Sequence, residues 1–191
     1  MTVFGIVDLE THDSTEAARE NTRPAIIEVG LSVCTENYAI QKTVATLVHS
    51  IAPLTPTVAK LTGIVSPDLK VAPAFEYAYS CLVDAQAAYG ITTWAHWGGD
   101  DWEILKQAAR KAGLAWDLPQ VALNLQSICW ETMRRQGYRP TFGLRRVAKS
   151  FNVDIPTYHR AGPDTRMAAL VMQKLHKDSA NSAEGAYLRE F

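Results

Sequence analysis

Two carboxylates interrupt an apolar segment near the N-terminus. The segment GIVDLETHD places Asp8 and Glu10 two residues apart, directly after three apolar residues. In a β-strand, such a pair points to one face of the sheet, where two like charges repel unless a cation lies between them. One interpretation is therefore a divalent metal site. The alternative is a strand that ends in solvent, with these acids at the start of a loop.

A second acidic site lies in the segment HWGGDDWEILKQAARKAG, which follows a predicted strand. In a helix that starts here, Asp101 shares a face with the apolar residues Ile104 and Leu105, whereas Asp100 leads toward Gln107. An acid on the apolar face favours a functional role for Asp101. Capping of the helix N-terminus is the alternative for either aspartate. Asp100 also stays an alternative as the functional acid, because the two are adjacent.

A third acid lies in the segment YHRAGPDTRMAALVMQKL. Pro163 suits the first position of a helix, and Asp164 then shares a face with Ala168 and Met172. His159 precedes this helix in a loop, and its side chain titrates near neutral pH. A loop histidine is usually only a solvated side chain. The spacing His-x-Ala-x-x-Asp is rarer, since average composition gives about one or two random occurrences per hundred chains of this size.

The elements that must position these residues alternate between strands and helices. Period-two and β-branched patterns predict strands within 3–8, 23–34, 38–49, 89–97 and 121–126. Helices are predicted near 55–63, 74–89, 100–113, 126–136, 142–151 and 163–177, with Thr55 as a cap and Gly63 beyond the end of the first. This alternation predicts an α/β fold with a mixed sheet.

Composition narrows the class of protein. The chain has 191 residues, 47% of them hydrophobic, which is enough for one sizeable core. A net charge of −1 does not indicate a preference for a strongly charged partner such as nucleic acid. The three cysteines lack the spacing of a zinc site or disulfide framework. Without a signal-peptide pattern or an apolar run of about 18 residues, we expect a cytoplasmic protein with no membrane segment.

Together, the three acidic segments resemble the DEDDh branch of the DnaQ-like 3′-5′ exonuclease superfamily. Its motifs are Asp-x-Glu-Thr, an aspartate that several members place after Trp-Gly, and His-x-Ala-x-x-Asp. All three occur here in the family's order, and the resemblance covers residues 3 to about 177. It implies an exonuclease domain over 1–178 and a C-terminal tail over 179–191. The matching residues are Asp8, Glu10, Thr11, Asp101, His159, Ala161 and Asp164.

The resemblance also implies a fold and a mechanism. The fold is ribonuclease H-like, with a mixed central sheet of about five strands flanked by helices. Four carboxylates, Asp8, Glu10, Asp101 and Asp164, would hold two Mg²⁺ or Mn²⁺ ions about 4 Å apart. His159 would act as the general base that takes a proton from the attacking water.

The substrate implied by the resemblance is the 3′ end of a single-stranded nucleic acid. The segments IIEVG, LTGI and NLQ are similar to the Eri-like exoribonuclease subgroup, which favours RNA. A DNA exonuclease of repair, proofreading or phage metabolism is the alternative within this class. A non-catalytic nucleic-acid-binding module on the same fold is the alternative from another class. Dimerisation or a partner protein is expected to supply any targeting.

Aromatic and polar residues beside the motifs are candidates for substrate contact. Thr11 and His12 directly follow the acid pair and are placed to touch the terminal ribose. Trp97 and Trp102 flank the second motif and could stack on bases. Because tryptophans are highly buried on average, burial in the core is the alternative for both.

A basic segment is the last candidate for substrate contact. Between Glu131 and Asp154 the chain contains five arginines, Lys149 and no acid. Arg145 and Arg146 in particular could neutralise phosphates of a strand that enters the site. A solvated helix face is the equally weighted alternative.

Overall fold

The central element is a mixed sheet. The computed structural model describes residues 2–12, 25–139, 141–157 and 159–181. Within them, five strands lie in the order β3-β2-β1-β4-β5. Strand β2 pairs antiparallel with β1 and β3, while β4 runs parallel to β1 and β5. The predicted α/β fold with a five-stranded mixed sheet is thus confirmed. The strands are β1 (Phe4–His12), β2 (Ala25–Cys34), β3 (Ile40–Leu47), β4 (Thr93–His96) and β5 (Leu123–Asn124).

Helices cover both faces of the sheet. The Thr55 hydroxyl accepts a hydrogen bond from the Val58 N–H, and Gly63 ends the first helix in the left-handed conformation, as predicted. A short helix led by Pro67 was missed by the sequence patterns, because its six residues are too few to show a period. The helices are α1 (Pro56–Thr62), α2 (Ser66–Val71), α3 (Phe75–Tyr89), α4 (Asp101–Lys111), α5 (Leu125–Arg135), α6 (Leu144–Ser150) and α7 (Ala161–Asn181).

The alternation of β1 separates two hydrophobic clusters. Phe4 and Ile6 belong to a cluster with residues of α5, α6 and α7. Val7 and Leu9 belong to a second cluster, with residues of α3 and α4. Since alternate residues of a strand share a face, Asp8 continues the face of Phe4 and Ile6. The first acid of the chain therefore points to the side of the sheet that α7 covers.

The C-terminal helix is longer than its sequence pattern predicts. It begins at Ala161, two residues before Pro163, because a proline in the first helical turn lacks only an N–H that would have no intrahelical partner. It continues to Asn181, past the predicted boundary of the domain at 178. Residues 182–191 of the predicted tail lie outside the described residues. No helix in the described ranges is long and apolar enough to cross a membrane.

Candidate active site

Four acids from three distant parts of the chain converge beside β1. Asp8 and Glu10 are half-buried on β1, where they lie opposite Gly30 and Glu28 of β2. Asp101 is the first residue of α4 and is also half-buried. Asp164 is in the first turn of α7 and only 6% exposed. The structure therefore brings together the four carboxylates that the motifs predict as metal ligands.

Burial and nearby negative charges raise the pKa of each carboxyl group. For Asp8, burial is the largest cause, and the charges of Asp101, Asp164 and Glu10 add to it. Burial and the Asp164 carboxylate raise the pKa of Glu10 to about 7. Burial, with a contribution from Asp100, raises that of Asp101 to about 7. These shifts show a cluster that holds its full negative charge poorly without a cation.

The donor set fits a hard divalent cation. Asp164 Oδ1 is buried and has no hydrogen-bond partner among the described residues. One ligand atom each from Glu10, His159 and Asp164 lies within 4.8 Å of the others. Carboxylate oxygens are among the ligands that Mg²⁺ and Mn²⁺ prefer. The four acids could therefore hold such ions.

His159 lies at the edge of the carboxylate cluster. Its backbone N–H donates to the Leu61 carbonyl at 3.0 Å, and its Nδ1 lies 3.7 Å from Asp164 Oδ2. The side chain is 41% exposed, so solvent reaches the ring. Burial and the charge of Arg145 lower the pKa of the imidazole. A neutral imidazole beside the carboxylates can accept a proton, which is what the predicted base requires.

The loop before α4 distinguishes Asp101 from Asp100. Gly98 and Gly99 both have positive φ, 61° and 57°, a conformation that glycine adopts without strain. The His96 Nδ1–H donates to the Gly98 carbonyl at 2.7 Å and fixes the loop to the end of β4. The result is a half-buried Asp101 that interacts with Asp8, whereas Asp100 is exposed. The geometry thus favours Asp101 as the second-motif acid.

Glu28 is a fifth acid of this region, and the motifs did not identify it. It is 2% exposed on β2. Its carboxylate accepts hydrogen bonds from Arg160, the shortest at 2.6 Å, and from the Ala161 N–H at 2.9 Å. Glu28 therefore fixes the segment that carries His159. The available signal was the same as for Asp8, because an acid interrupts the apolar segment AIIEVGLSVC.

Gly30 allows α7 to lie directly on the sheet. A Cβ atom at this position would lie 2.3 Å from the carbonyl carbon of Ala161 and 2.6 Å from the Gly162 nitrogen. Both contacts are with backbone, which cannot move aside as a flexible side chain could. The absence of a side chain on Gly30 thus sets how closely the start of α7 approaches β2.

The aromatic residues that were predicted to contact substrate lie in the protein core. His12 is 1% exposed, and neither ring nitrogen has a hydrogen-bond partner within the described ranges. Trp97 is 9% exposed and packs in the cluster around α7. Trp102 is 3% exposed, between the rings of Trp94 and Trp116. Burial in the core, the alternative considered for the tryptophans, is what the structure shows. Thr11 is half-buried beside Glu10.

The basic segment reaches the site at one residue. An Arg145 nitrogen lies 3.6 Å from Asp164 Oδ1, and this cation lowers the pKa of that carboxyl, although burial raises it overall to about 6. Arg146 is exposed to solvent. Arg134 and Arg135 form ion pairs with Glu131 on their own helix. Of the two arginines predicted to contact substrate, the structure therefore places Arg145 beside the acids and Arg146 outside them.

Proteins of related sequence are named as nucleases or polymerases. The chain is 29% identical over 188 residues to a Mycobacterium tuberculosis protein named as a bifunctional exonuclease/endonuclease. It is 27% identical over 173 residues to a PolC-type DNA polymerase III of Caldanaerobacter subterraneus subsp. tengcongensis. The matches cover 97% and 90% of this chain but only 28% and 11% of those proteins. No protein-family model matches the chain.

Solved structures that share this fold include nucleases. The crystal structure of cell-death related nuclease 4 (CRN-4) superimposes with a TM-score of 0.78 at 18% identity, over 93% of this chain and 64% of that one. The nuclease domain of 3′hExo, a DEDDh family member bound to rAMP, gives 0.76 at 16% identity over 92% of each chain. The resemblance to the DEDDh exonucleases and the ribonuclease H-like fold, both predicted from sequence, are confirmed.

Proposed function

We propose that this chain is a metal-dependent 3′-5′ exonuclease that releases nucleoside 5′-monophosphates from single-stranded ends. The observation that carries this proposal is the convergence of four carboxylates and one histidine beside β1. Asp8 and Asp164 are more than 150 positions apart in the sequence. Burial disfavours the charged form of each carboxylate, so such a cluster needs a compensating cation. A cation site and a proton acceptor at one point are the requirements of metal-assisted phosphodiester hydrolysis.

The acids would hold two Mg²⁺ or Mn²⁺ ions, which would orient the attacking water and stabilise charge on the leaving 3′ oxygen. The chain's own contribution to the chemistry is proton transfer at His159. The unprotonated ring nitrogen of His159 takes a proton from the attacking water as the water oxygen bonds to phosphorus, and the ring later releases this proton to solvent. The bond between phosphorus and the 3′ oxygen breaks, and that oxygen receives a proton from solvent. The products are a nucleoside 5′-monophosphate and a strand with a new 3′ hydroxyl.

We propose RNA as the favoured substrate, with DNA as the alternative. The segments IIEVG, LTGI and NLQ support RNA, and the related 3′hExo domain was solved with rAMP. The match to a PolC-type DNA polymerase supports DNA. Recognition of the 2′-hydroxyl separates the two, so a direct comparison of substrates decides the question.

The test is hydrolysis of 5′-labelled single-stranded RNA and matching DNA with Mg²⁺, Mn²⁺ or EDTA. We expect a ladder that shortens from the 3′ end, is absent in EDTA, and is lost in Asp8→Ala and His159→Ala. Matched controls are Asp84→Ala and His49→Ala, both exposed residues outside the site, which should retain activity. Metal-dependent binding without any shortening would support the non-catalytic module instead.

A further inference from the structure

An exposed pair of stacked aromatic rings lies on the hairpin between α5 and α6. The rings of Trp130, on α5, and Phe142, two residues before α6, are 6.2 Å apart at an interplanar angle of 14°. Phe142 is 61% exposed even in this stack, and Trp130 is half-buried. Single exposed aromatic rings are common on protein surfaces. A stack of two rings with one ring mostly exposed differs from them, because it offers a flat apolar face on which another planar group can stack.

The charge around this pair is positive. Residues 132–153 carry five arginines and one lysine, without an acid. The Glu131 carboxylate pairs with two of these arginines at the end of α5. Arg139 and Arg146, which lie on either side of Phe142 in sequence, are exposed. Trp130, Arg139, Phe142 and Arg146 are named here the aromatic-basic surface. Its charge is complementary to a phosphate backbone rather than to an apolar peptide.

Two contacts place the aromatic-basic surface beside the carboxylates. The side chain of Gln126, in the first turn of α5, lies against Gly98 in the loop that leads to Asp101. Trp130 follows Gln126 by about one helical turn. On the other side, Arg145 follows Phe142 by three residues and contacts Asp164. The stacked rings therefore lie about one helical turn from two residues of the site: Gln126, which contacts the loop before Asp101, and Arg145, which contacts Asp164.

We propose that the aromatic-basic surface holds the single strand upstream of the bond to be cleaved. Bases would stack on Phe142 and Trp130, and the exposed arginines would contact the phosphates. Stacking on a ring face tolerates any base, so this surface contributes affinity without sequence preference. This inference rests on the proposed exonuclease function and assigns the stacking role to rings other than the buried Trp97 and Trp102.

The experiment compares a dinucleotide with a single strand of about 12 nucleotides, within the usual site sizes of single-strand-binding surfaces. In Phe142→Ala, we expect KM for the longer strand to rise about tenfold, the loss expected for one stacked base. The kcat/KM for the dinucleotide should not change, because it is too short to reach the surface. Phe142→Trp keeps a large aromatic ring at this position and should therefore have the KM of the wild type. Tyr77→Ala removes a similarly exposed ring on α3 and should have no effect.

Equal effects on both substrates, or none on either, would overturn the inference while leaving the exonuclease proposal intact. If the wild type shortens neither substrate, the exonuclease proposal fails instead. Binding then decides about the surface: fluorescence anisotropy of the longer strand should show about tenfold weaker binding by Phe142→Ala than by the wild type. Equal binding would overturn the inference. Circular dichroism of Phe142→Ala confirms that the variant is folded.

Discussion

The two aspartates that helices bring to the site are held in different ways. Asp164 is buried at the start of α7, whose backbone lies directly on β2 at Gly30. The carboxylate of Glu28 accepts hydrogen bonds from Arg160 and Ala161 in the same segment. Asp101 is half-buried after a loop with two left-handed glycines. Its support is the hydrogen bond from the His96 ring to that loop.

This difference separates two kinds of constraint. The side of the site formed by β1, β2 and α7 is set by close packing, in which adding even one methyl group changes the stability. The side formed by the loop before α4 depends on a special backbone conformation, with Gly98 and Gly99 in the left-handed region, and on the hydrogen bond from His96 to Gly98. Changes beneath α7 should therefore affect both stability and chemistry. Changes in the loop before α4 should affect chemistry mainly through the position of the Asp101 carboxylate.

The largest expected effect distinguishes Asp101 from its neighbour. Asp101→Asn removes a carboxylate that interacts with Asp8, and we expect a loss of about 10²–10³-fold in kcat, as for other groups that stabilise transition-state charge. Asp100→Asn, at an exposed position, should change kcat by less than about threefold. Steady-state hydrolysis with saturating Mg²⁺ measures both. The reverse order would show that Asp100 is the second-motif ligand.

On the α7 side, Glu28→Gln tests whether a buried residue without substrate contact controls the position of His159. We expect a loss of about 10–100-fold in kcat, with little change in KM. This is the usual effect of mutating residues that position metal ligands without binding the metal themselves. Glu76→Gln, at an exposed acid of α3, is the control. A Glu28→Gln variant that loses stability but keeps the kcat of the wild type would restrict Glu28 to a structural role.

Gly30→Ala tests the packing side directly. Because the new methyl group would overlap the backbone of Ala161, we expect a loss of about 1–3 kcal/mol in the free energy of unfolding. Gly5→Ala, on β1, would meet only the side chains of Trp94 and Ile91, at 3.0–3.1 Å, and should cost less. Urea unfolding of both variants gives the comparison. A Gly30→Ala variant as stable as the wild type would show that α7 shifts without a cost in free energy.

Structural features that depend on local sequence patterns, such as which face of a helix is buried, were predicted correctly. The apolar face of α7 correctly indicated that Asp164 points inward. The pairing of Glu28 with Arg160 could not be predicted, since its partners are 132 residues apart and no periodicity links them. The burial of Trp97 depends in the same way on the packing of α7, a contact between distant segments.

The exposed stack of Trp130 and Phe142 also escaped prediction. The two residues lie twelve positions apart, and no sequence period links them. The basic segment around them was visible in the sequence, but its composition did not show which residues reach the acids. Only the three-dimensional path of the chain separates Arg145, beside Asp164, from the exposed Arg146.

The smallest effect concerns stability without metal, where the two aspartates should again differ. Burial raises the pKa of Asp101 to about 7 and that of Asp164 to about 6, from an ordinary value of 3.8. A raised carboxyl pKa means that the folded state binds more protons than the unfolded state. This contribution to stability is therefore full at pH values below about 4 and is lost as pH rises toward 6 for Asp164 and 7 for Asp101.

Asparagine does not ionise, so replacing either aspartate with it removes the stability loss that occurs as pH rises. In EDTA at pH 8, Asp101→Asn should be more stable than the wild type by on the order of 1 kcal/mol after solvent screening, and Asp164→Asn by less. Near pH 4, both variants should match the wild type. Urea unfolding at the two pH values gives the differences, with Asp84→Asn as an exposed control. Mg²⁺ should stabilise the wild type at pH 8 more than either variant, because each variant lacks one ligand. Variants less stable than the wild type at pH 8 would show that these carboxylates are not crowded in the metal-free protein.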